Sequence, residues 1–236
     1  MQEKDMQEIK QAERIQTSIL NAAEKKVLVW LAKRQPRWMT SDILTAIGSF
    51  GAVVIAAGYI LTNLNVNFLW LASLGFVINW YGDSLDGTLA RVRNTQRPVY
   101  GYYLDHTVDG INESLMFLGI GLSGLIHFPL ALAILVVYLL LTINVSVNAH
   151  LRKEFRLTYA KLGPTEFRIL GIIANTLFVL VTPLRDFSAE VSLFGRAVTL
   201  QALDFAGLFV LLLLLVIYFS TIIADARYYA KIDPRK

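Results

Sequence analysis

The chain has 236 residues, 55% hydrophobic and 17% charged, with 22 Lys and Arg against 18 Asp and Glu and a net charge of +4. A mean hydropathy of +0.51 is too high for an ordinary soluble domain of this length, which makes the class a polytopic membrane protein. The absence of cysteine excludes disulfides and thiolate metal sites and leaves the redox compartment open.

Residues 1–26 are charged and polar, so no apolar stretch follows a basic start and no cleaved signal peptide is expected. Within the first 35 residues, Ile9, Ala12, Ile15, Ile19, Ala23 and Val27 recur at helical intervals among Lys, Glu and Gln. This predicts a helix on the membrane surface, ending in a basic patch of Lys33, Arg34 and Arg37 that anionic lipid attracts. A solvated tail helix is the plainer alternative. Segments matching the length of about 20 residues needed to cross a bilayer follow at 41–62, 67–90, 101–125, 129–150, 166–184 and 202–225. The expected fold is therefore an all-α polytopic membrane protein with six transmembrane helices and an N-terminal amphipathic interfacial helix. Residues 1–38 form the juxtamembrane part and 39–236 the transmembrane domain that would carry any activity. No internal repeat and no second soluble domain are visible.

The second and third predicted spans are interrupted by four aspartates in 83-DSLDGTLAR-91 and, nine residues on, 101-GYYLDHTVD-109. At about 3.6 residues per turn, Asp83, Asp86, Gly87 and Ala90 share one helix face, and Gly101, Asp105 and Asp109 share one face of the next. Two carboxylate pairs can thus face each other. Gly87, Ala90 and Gly101 are the smallest residues available and would let a bulky ligand approach the backbone. Arg91 adds a fixed cation at the rim. His106 lies off the aspartate face, either donating to a phosphate or carboxylate or lining the lumen. Glu113, one turn beyond Asp109, either pairs with an arginine or helps to bind a substrate.

In the fourth span, Asn144, Ser146 and Asn148 read as hydrogen-bond partners between helices, and His127 and His150 as interfacial residues. The segment 152-RKEFRLTYAKLGPTEFRIL-170 joins basic residues to a Gly-Pro break. One reading is a plain loop with Pro164 near the start of the fifth span, where proline is tolerated. The other is a substrate pocket built from Arg152, Arg156, Arg168 and Glu166. Every Lys and Arg except Arg185 and Arg196 falls on one side of the predicted spans. The positive-inside rule then places both termini and the aspartates in the cytoplasm.

An ionised carboxylate at membrane depth costs several kcal/mol unless compensated, so four together argue for bound cations. Clustered carboxylates without Cys select hard ions such as Mg²⁺ or Mn²⁺. Four ligands make two ions reasonable, and two ions clamp a phosphoryl or diphosphate group during in-line displacement. Arg91 suits the same ligand, because a guanidinium engages phosphate oxygens in two parallel hydrogen bonds.

The pattern D-x-x-D-G-x-x-A-R, followed after a short gap by G-x-x-x-D-x-x-x-D, resembles the signature of the CDP-alcohol phosphotransferases. Every fixed position is present, as Asp83, Asp86, Gly87, Ala90, Arg91, Gly101, Asp105 and Asp109. The opening 40-TSDILT-45 is similar to the T-P-N-x-L-T start of the family's first helix, with Ser41 in place of proline. The resemblance implies six transmembrane helices with a cytoplasm-facing site, an amphipathic N-terminal helix, and homodimers. It further implies that Asp83, Asp86 and Asp105 hold the metal pair and that Asp109 ligates a metal and takes the proton of the attacking alcohol. Gly87, Ala90 and Gly101 would leave room for the cytidine nucleotide, and Arg91 would hold its diphosphate. Attack on the phosphorus farther from cytidine releases CMP.

Two versions of this activity stay open. One joins a CDP-diacylglycerol donor to a small polar acceptor such as an inositol, glycerol phosphate or serine. The other moves a CDP-linked aminoalcohol onto a lipid, which His106 and the Gly163, Pro164, Thr165, Glu166 string resemble, although Phe167 stands where that element has glycine. From another class, carboxylates can line a cation transporter or channel, but a buried fixed arginine brings nothing to a cation path. The expected partners are a CDP-linked donor, an alcohol acceptor, membrane lipids and a second copy of the chain, with no nucleic acid. The expected location is a plasma membrane or endomembrane, bacterial or archaeal.

Overall fold

The computed structural model describes residues 13–15, 20–152, 154–156, 163–193 and 196–234, with backbone only at 13–15, 21, 152, 154–156, 193 and 196. Helix α1 (Asn21–Arg34) precedes the bundle. The bundle comprises α2 (Ser41–Leu61), α3 (Leu69–Arg93), α4 (Pro98–Gly121), α5 (Phe128–Arg152), α6 (Pro164–Leu180) and α8 (Ala202–Ile232). A single turn, α7 (Thr182–Arg185), follows α6. Among the described residues, three helices are both long and apolar enough to cross a membrane: α2, α8 and the Phe128–Leu151 stretch of α5. Helices α3 and α4 carry the aspartates, and α6 has 17 residues. The chain is a predominantly helical integral membrane protein.

Local signals set the helix ends. Thr40 caps α2, its hydroxyl accepting from the Ile43 amide at 3.2 Å. Asn94 ends α3 in the left-handed conformation (φ 54°), and the Thr95 amide returns to the Ala90 carbonyl at 3.0 Å. Pro98 then opens α4, where its missing N–H costs nothing.

The closest helix contact joins α2 and α3. A Cβ at Gly82 would strike the backbone of Gly48, one at Gly51 the backbone of Asn79, and one at Gly58 the backbone of Ala72. Only glycine permits that approach, and dense backbone packing is what binds helices in an apolar medium. Leu44, Ala52, Ile55, Ala72, Leu85 and Leu89 fill the space around it, all essentially inaccessible. At the far end of α4, buried Asp204 ties two helix starts together. Its carboxylate accepts from the His127 amide at 2.7 Å and the Gln201 amide at 2.8 Å, and meets His127 Nδ1 at 2.9 Å. Asn144 and Asn148 of α5 both donate to Asp225 of α8, at 3.2 and 2.7 Å, whereas Ser146 bonds within its own helix.

Two features differ from the sequence expectation. The N-terminal helix begins only at Asn21, and residues 13–15 form a short strand, β1 (Glu13–Ile15), parallel to β2 (Glu154–Arg156). Ile9, Ala12 and Ile19 lie outside the described residues. Within α1 the buried positions are Leu28 and Ala32, while Ala23 and Val27 are exposed, because α1 packs on α3 beside Leu85 and Leu89. The second difference is an antiparallel hairpin, β3 (Ser188–Leu193) with β4 (Arg196–Gln201), in a chain read as all-α. Its alternation of exposed Ser188, Glu190 and Ser192 with half-buried Ala189 and Val191 has the period of two that a half-covered strand requires.

The α2–α3 contact makes a direct prediction. Gly82→Ala should lower the thermal midpoint of the detergent-solubilised protein by several degrees, in line with an overpacking cost of about 1–3 kcal/mol. Gly101→Ala, where a Cβ would meet nothing within 4 Å, should leave the midpoint unchanged.

Candidate active site

Helices α3 and α4 present their aspartates to each other across the bundle. Asp83, Asp105 and Asp109 each offer a carboxylate oxygen, and the three oxygens lie within 4.8 Å of one another. Three hard oxygen donors at that spacing, with no sulfur or nitrogen among them, fit a divalent cation. Asp86 is not in this group of three. Its Oδ2 accepts from the Thr45 hydroxyl at 2.7 Å and its Oδ1 from the Gly87 amide at 2.5 Å, and Ser41 donates to its backbone carbonyl at 2.9 Å. The 40-TSDILT-45 segment therefore does two jobs, capping α2 and orienting Asp86.

A cation balances the cluster from within the protein. Arg168, in the second turn of α6, donates through Nη2 to Asp83 Oδ2 at 2.5 Å and through Nε to Asn79 Oδ1 at 2.8 Å. The pair is largely shielded from solvent, with side-chain exposures of 12% for Arg168 and 24% for Asp83. Asn79 passes the contact on, donating to the Gly48 carbonyl at 2.9 Å. Arg168 Nη1 is buried without a partner, as are Asn112 Oδ1 and Glu113 Oε2 beneath Asp109.

The small residues of the motif border open space. A Cβ at Gly87 would first meet Arg91 Nη1, at 3.4 Å, and one at Gly101 would meet nothing within 4 Å. Arg91 is exposed and folds along its own helix, Nη2 donating to Thr88 at 3.0 Å. Ala90 is half-buried beside it.

Other sequence candidates sit differently. His106 stacks on Tyr102, with ring centroids 4.1 Å apart, and its Nδ1 lies 2.9 Å from the Tyr102 carbonyl. Glu166 is buried and serves backbone amides, its Oε2 accepting from Gly163 at 2.9 Å and its Oε1 from Leu20 at 3.0 Å. Arg152 ends α5 and Arg156 ends β2, and the side chains of both lie outside the described ones. Asn79 and Thr45 escaped the sequence reading as working residues. A lone Asn one turn before Asp83, inside an apolar run, was the available signal for the first.

A family model described as CDP-alcohol phosphatidyltransferase matches residues 38–224, which span α2 to α8 and hold every motif residue. The chain belongs to this family. The description of that family is of a transferase of a substituted phosphate group. The family depends on divalent metal, in keeping with the three converging carboxylates. The chain is similar to archaetidylinositol phosphate synthase of Methanothermobacter thermautotrophicus, 33% identical over 97 residues that cover 40% of this chain and 47% of the relative. It is also similar to phosphatidylinositol phosphate synthase of Cutibacterium acnes, 34% identical over 86 residues covering 36% of this chain and 38% of the relative. The match thus spans less than half the length of either curated relative.

Metal binding measured directly on the purified protein checks this geometry. Asp105→Ala should abolish tight Mn²⁺ binding in a titration followed by electron paramagnetic resonance. Thr45→Val, which keeps every carboxylate but removes the donor to Asp86, should weaken it by about tenfold. Asp42→Ala, which breaks only the exposed pair with Arg97, should change nothing.

Proposed function

We propose that this transferase joins a lipid carried on CDP, such as CDP-diacylglycerol or its ether-linked counterpart, to a phosphorylated polyol, releasing CMP. The observation that carries the reading is the placement of Arg168: a guanidinium with one unpartnered nitrogen stands beside the carboxylate cluster of a family transferase. An anionic acceptor gains from that charge, whereas choline or ethanolamine would be repelled by it. The names of both relatives, which denote inositol phosphate lipids, support the same acceptor class. The aminoalcohol reading draws less support, since Glu166 accepts from backbone amides and His106 Nδ1 lies against the Tyr102 carbonyl.

Asp83, Asp86, Asp105 and Asp109 would hold Mg²⁺ or Mn²⁺, two ions by their number. Such ions supply charge neutralisation and polarisation of the diphosphate. The open faces at Gly87, Ala90 and Gly101 admit the nucleotide against the backbone, and Arg91 reaches its phosphates from the rim. Arg168 orients the acceptor phosphate, so that the acceptor hydroxyl meets the phosphorus farther from cytidine. A carboxylate oxygen of Asp109 takes the hydroxyl proton as the new O–P bond forms. The bond from that phosphorus to the bridging oxygen breaks, and the electron pair leaves with CMP. Asn112 and Glu113, three and four residues beyond Asp109 on α4, supply further polar groups on the same helix.

The matching topology is six transmembrane helices, α2 to α6 and α8, with both termini and the aspartates in the cytoplasm and α1 on the membrane surface as the juxtamembrane part. The positive-inside distribution of Lys and Arg supports it. A homodimer is the expected assembly.

CMP release from a CDP-lipid in detergent, scored over a panel of acceptors, tests the reading. Inositol phosphate or glycerol phosphate should support turnover, and choline and ethanolamine should not; the reverse preference overturns the proposal. Asp109→Asn should lower kcat by about 10²-fold or more while CDP-lipid still binds. Arg168→Gln should raise the acceptor KM by about tenfold or more, from the low end upward of the roughly 1.5–3 kcal/mol of a charge-assisted hydrogen bond, with the donor KM unchanged.

A further inference from the structure

The start of α6 is held by a helix that contributes nothing to the aspartate motif. Glu24 of α1 places a single oxygen, Oε1, against two donors on two other helices: Trp80 Nε1 of α3 at 2.8 Å and the Thr165 hydroxyl of α6 at 2.6 Å. Trp80 comes three residues before Asp83 on α3, and Thr165 three residues before Arg168 on α6. The bridge is thus one helical turn in sequence from each member of the Arg168–Asp83 pair. A second tie runs the same way, from the Leu20 amide at the head of α1 to Glu166 Oε1, whose other oxygen holds the Gly163 amide. At its other end α1 is anchored by Gln35, donating to the Tyr81 hydroxyl at 2.8 Å, and by Arg93, donating to the Gln35 and Pro36 carbonyls at 2.9 Å.

We propose that Glu24 is a positioning residue: it sets the separation of α3 and α6 at the Arg168–Asp83 pair and so fixes where the Arg168 guanidinium stands for the acceptor. The clause about the acceptor rests on the reading of Arg168 given above; the clause about helix separation does not. The physical reason lies in the shape of the contact. Arg168 reaches Asp83 from a 17-residue helix that Pro164 and Gly163 begin. A helix end frays unless its groups are satisfied. Two hydrogen bonds converging on Glu24 Oε1 remove that freedom one turn before the working side chain. The arrangement also gives α1 a role in turnover, since movement of this helix would move Arg168.

The test combines kinetics with a distance measurement. Glu24→Ala and Thr165→Val should each raise the acceptor KM about threefold or more, the scale of coupling between residues in one network, with kcat and donor KM close to wild type. Glu24→Gln keeps an oxygen facing both donors and should behave as wild type. In an Arg168→Gln background, Glu24→Ala should add nothing. An unchanged acceptor KM in both Glu24→Ala and Thr165→Val overturns the inference, as does a full multiplicative effect on top of Arg168→Gln, or a loss of thermal stability without a KM shift. If Arg168→Gln itself alters no KM, the reading of Arg168 falls and the distance measurement decides the helix-separation clause. The cysteine-free chain allows spin labels at Val77→Cys and Ile169→Cys, exposed positions on α3 and α6. Their distance distribution should broaden in Glu24→Ala and Thr165→Val and stay narrow in Glu24→Gln. An unbroadened distribution in all three overturns it.

Discussion

Everything at the site hangs on the backbone contact between α2 and α3. Gly48 lies against Gly82, and Gly51 against Asn79, at a distance that no side chain would tolerate. That closeness lets Asn79 donate to the Gly48 carbonyl, and its remaining oxygen receives Arg168. Arg168 in turn holds Asp83. A chain of hydrogen bonds therefore runs from the backbone of α2 through α3 to α6, ending on a carboxylate of the cluster. In an apolar medium there is no hydrophobic drive between helices, so such packing and polar links have to hold the bundle together.

The same chain answers an electrostatic problem. Carboxylates packed together inside a bundle repel one another and lose their water. The protein offsets part of this with one fixed cation on Asp83 and with neutral donors on Asp86, the Thr45 hydroxyl and the Gly87 amide. Asp105 and Asp109 bring two further carboxylates to Asp83, beside open faces at Gly87 and Gly101. A site with that balance suits divalent cations and a phosphate-rich ligand, which is the chemistry of the family to which the chain belongs.

Several polar contacts away from the cluster share one pattern, a carboxylate that accepts from two donors. Asp204 serves two helix starts, Asp225 takes two asparagines from α5, Glu166 takes two backbone amides, and one oxygen of Glu24 takes donors from two helices. Each of these carboxylates makes at least one contact with a segment far away in the chain. In a bundle whose outer faces are apolar, these few shared acceptors are what distinguish one helix arrangement from another.

The sequence by itself determined what is periodic or local. The spacing of 83-DSLDGTLAR-91 and 101-GYYLDHTVD-109 placed each aspartate pair on one helix face, the apolar runs located the bundle helices, and the motif carried the family. Small residues at 87 and 101 already marked the open faces. Tertiary structure alone decided which groups meet. Arg168 stands 85 residues from Asp83 along the chain, and nothing in its own segment names that partner. Asp86 shares a helix face with Asp83, yet Thr45 on α2 engages it, because the direction of that face depends on which helix lies opposite. Glu166 sits in a segment that could line a substrate pocket, but its oxygens accept from the Leu20 and Gly163 amides, and Leu20 lies on a distant part of the chain. Strands β3 and β4 pair in a chain whose other long elements are helices, and only the period of two at residues 188–192 marks them locally. Helical periodicity is a property of neighbouring residues, whereas a hydrogen-bond partner on another helix depends on how whole helices pack. That packing here was set by glycines, whose only signal is the absence of a side chain.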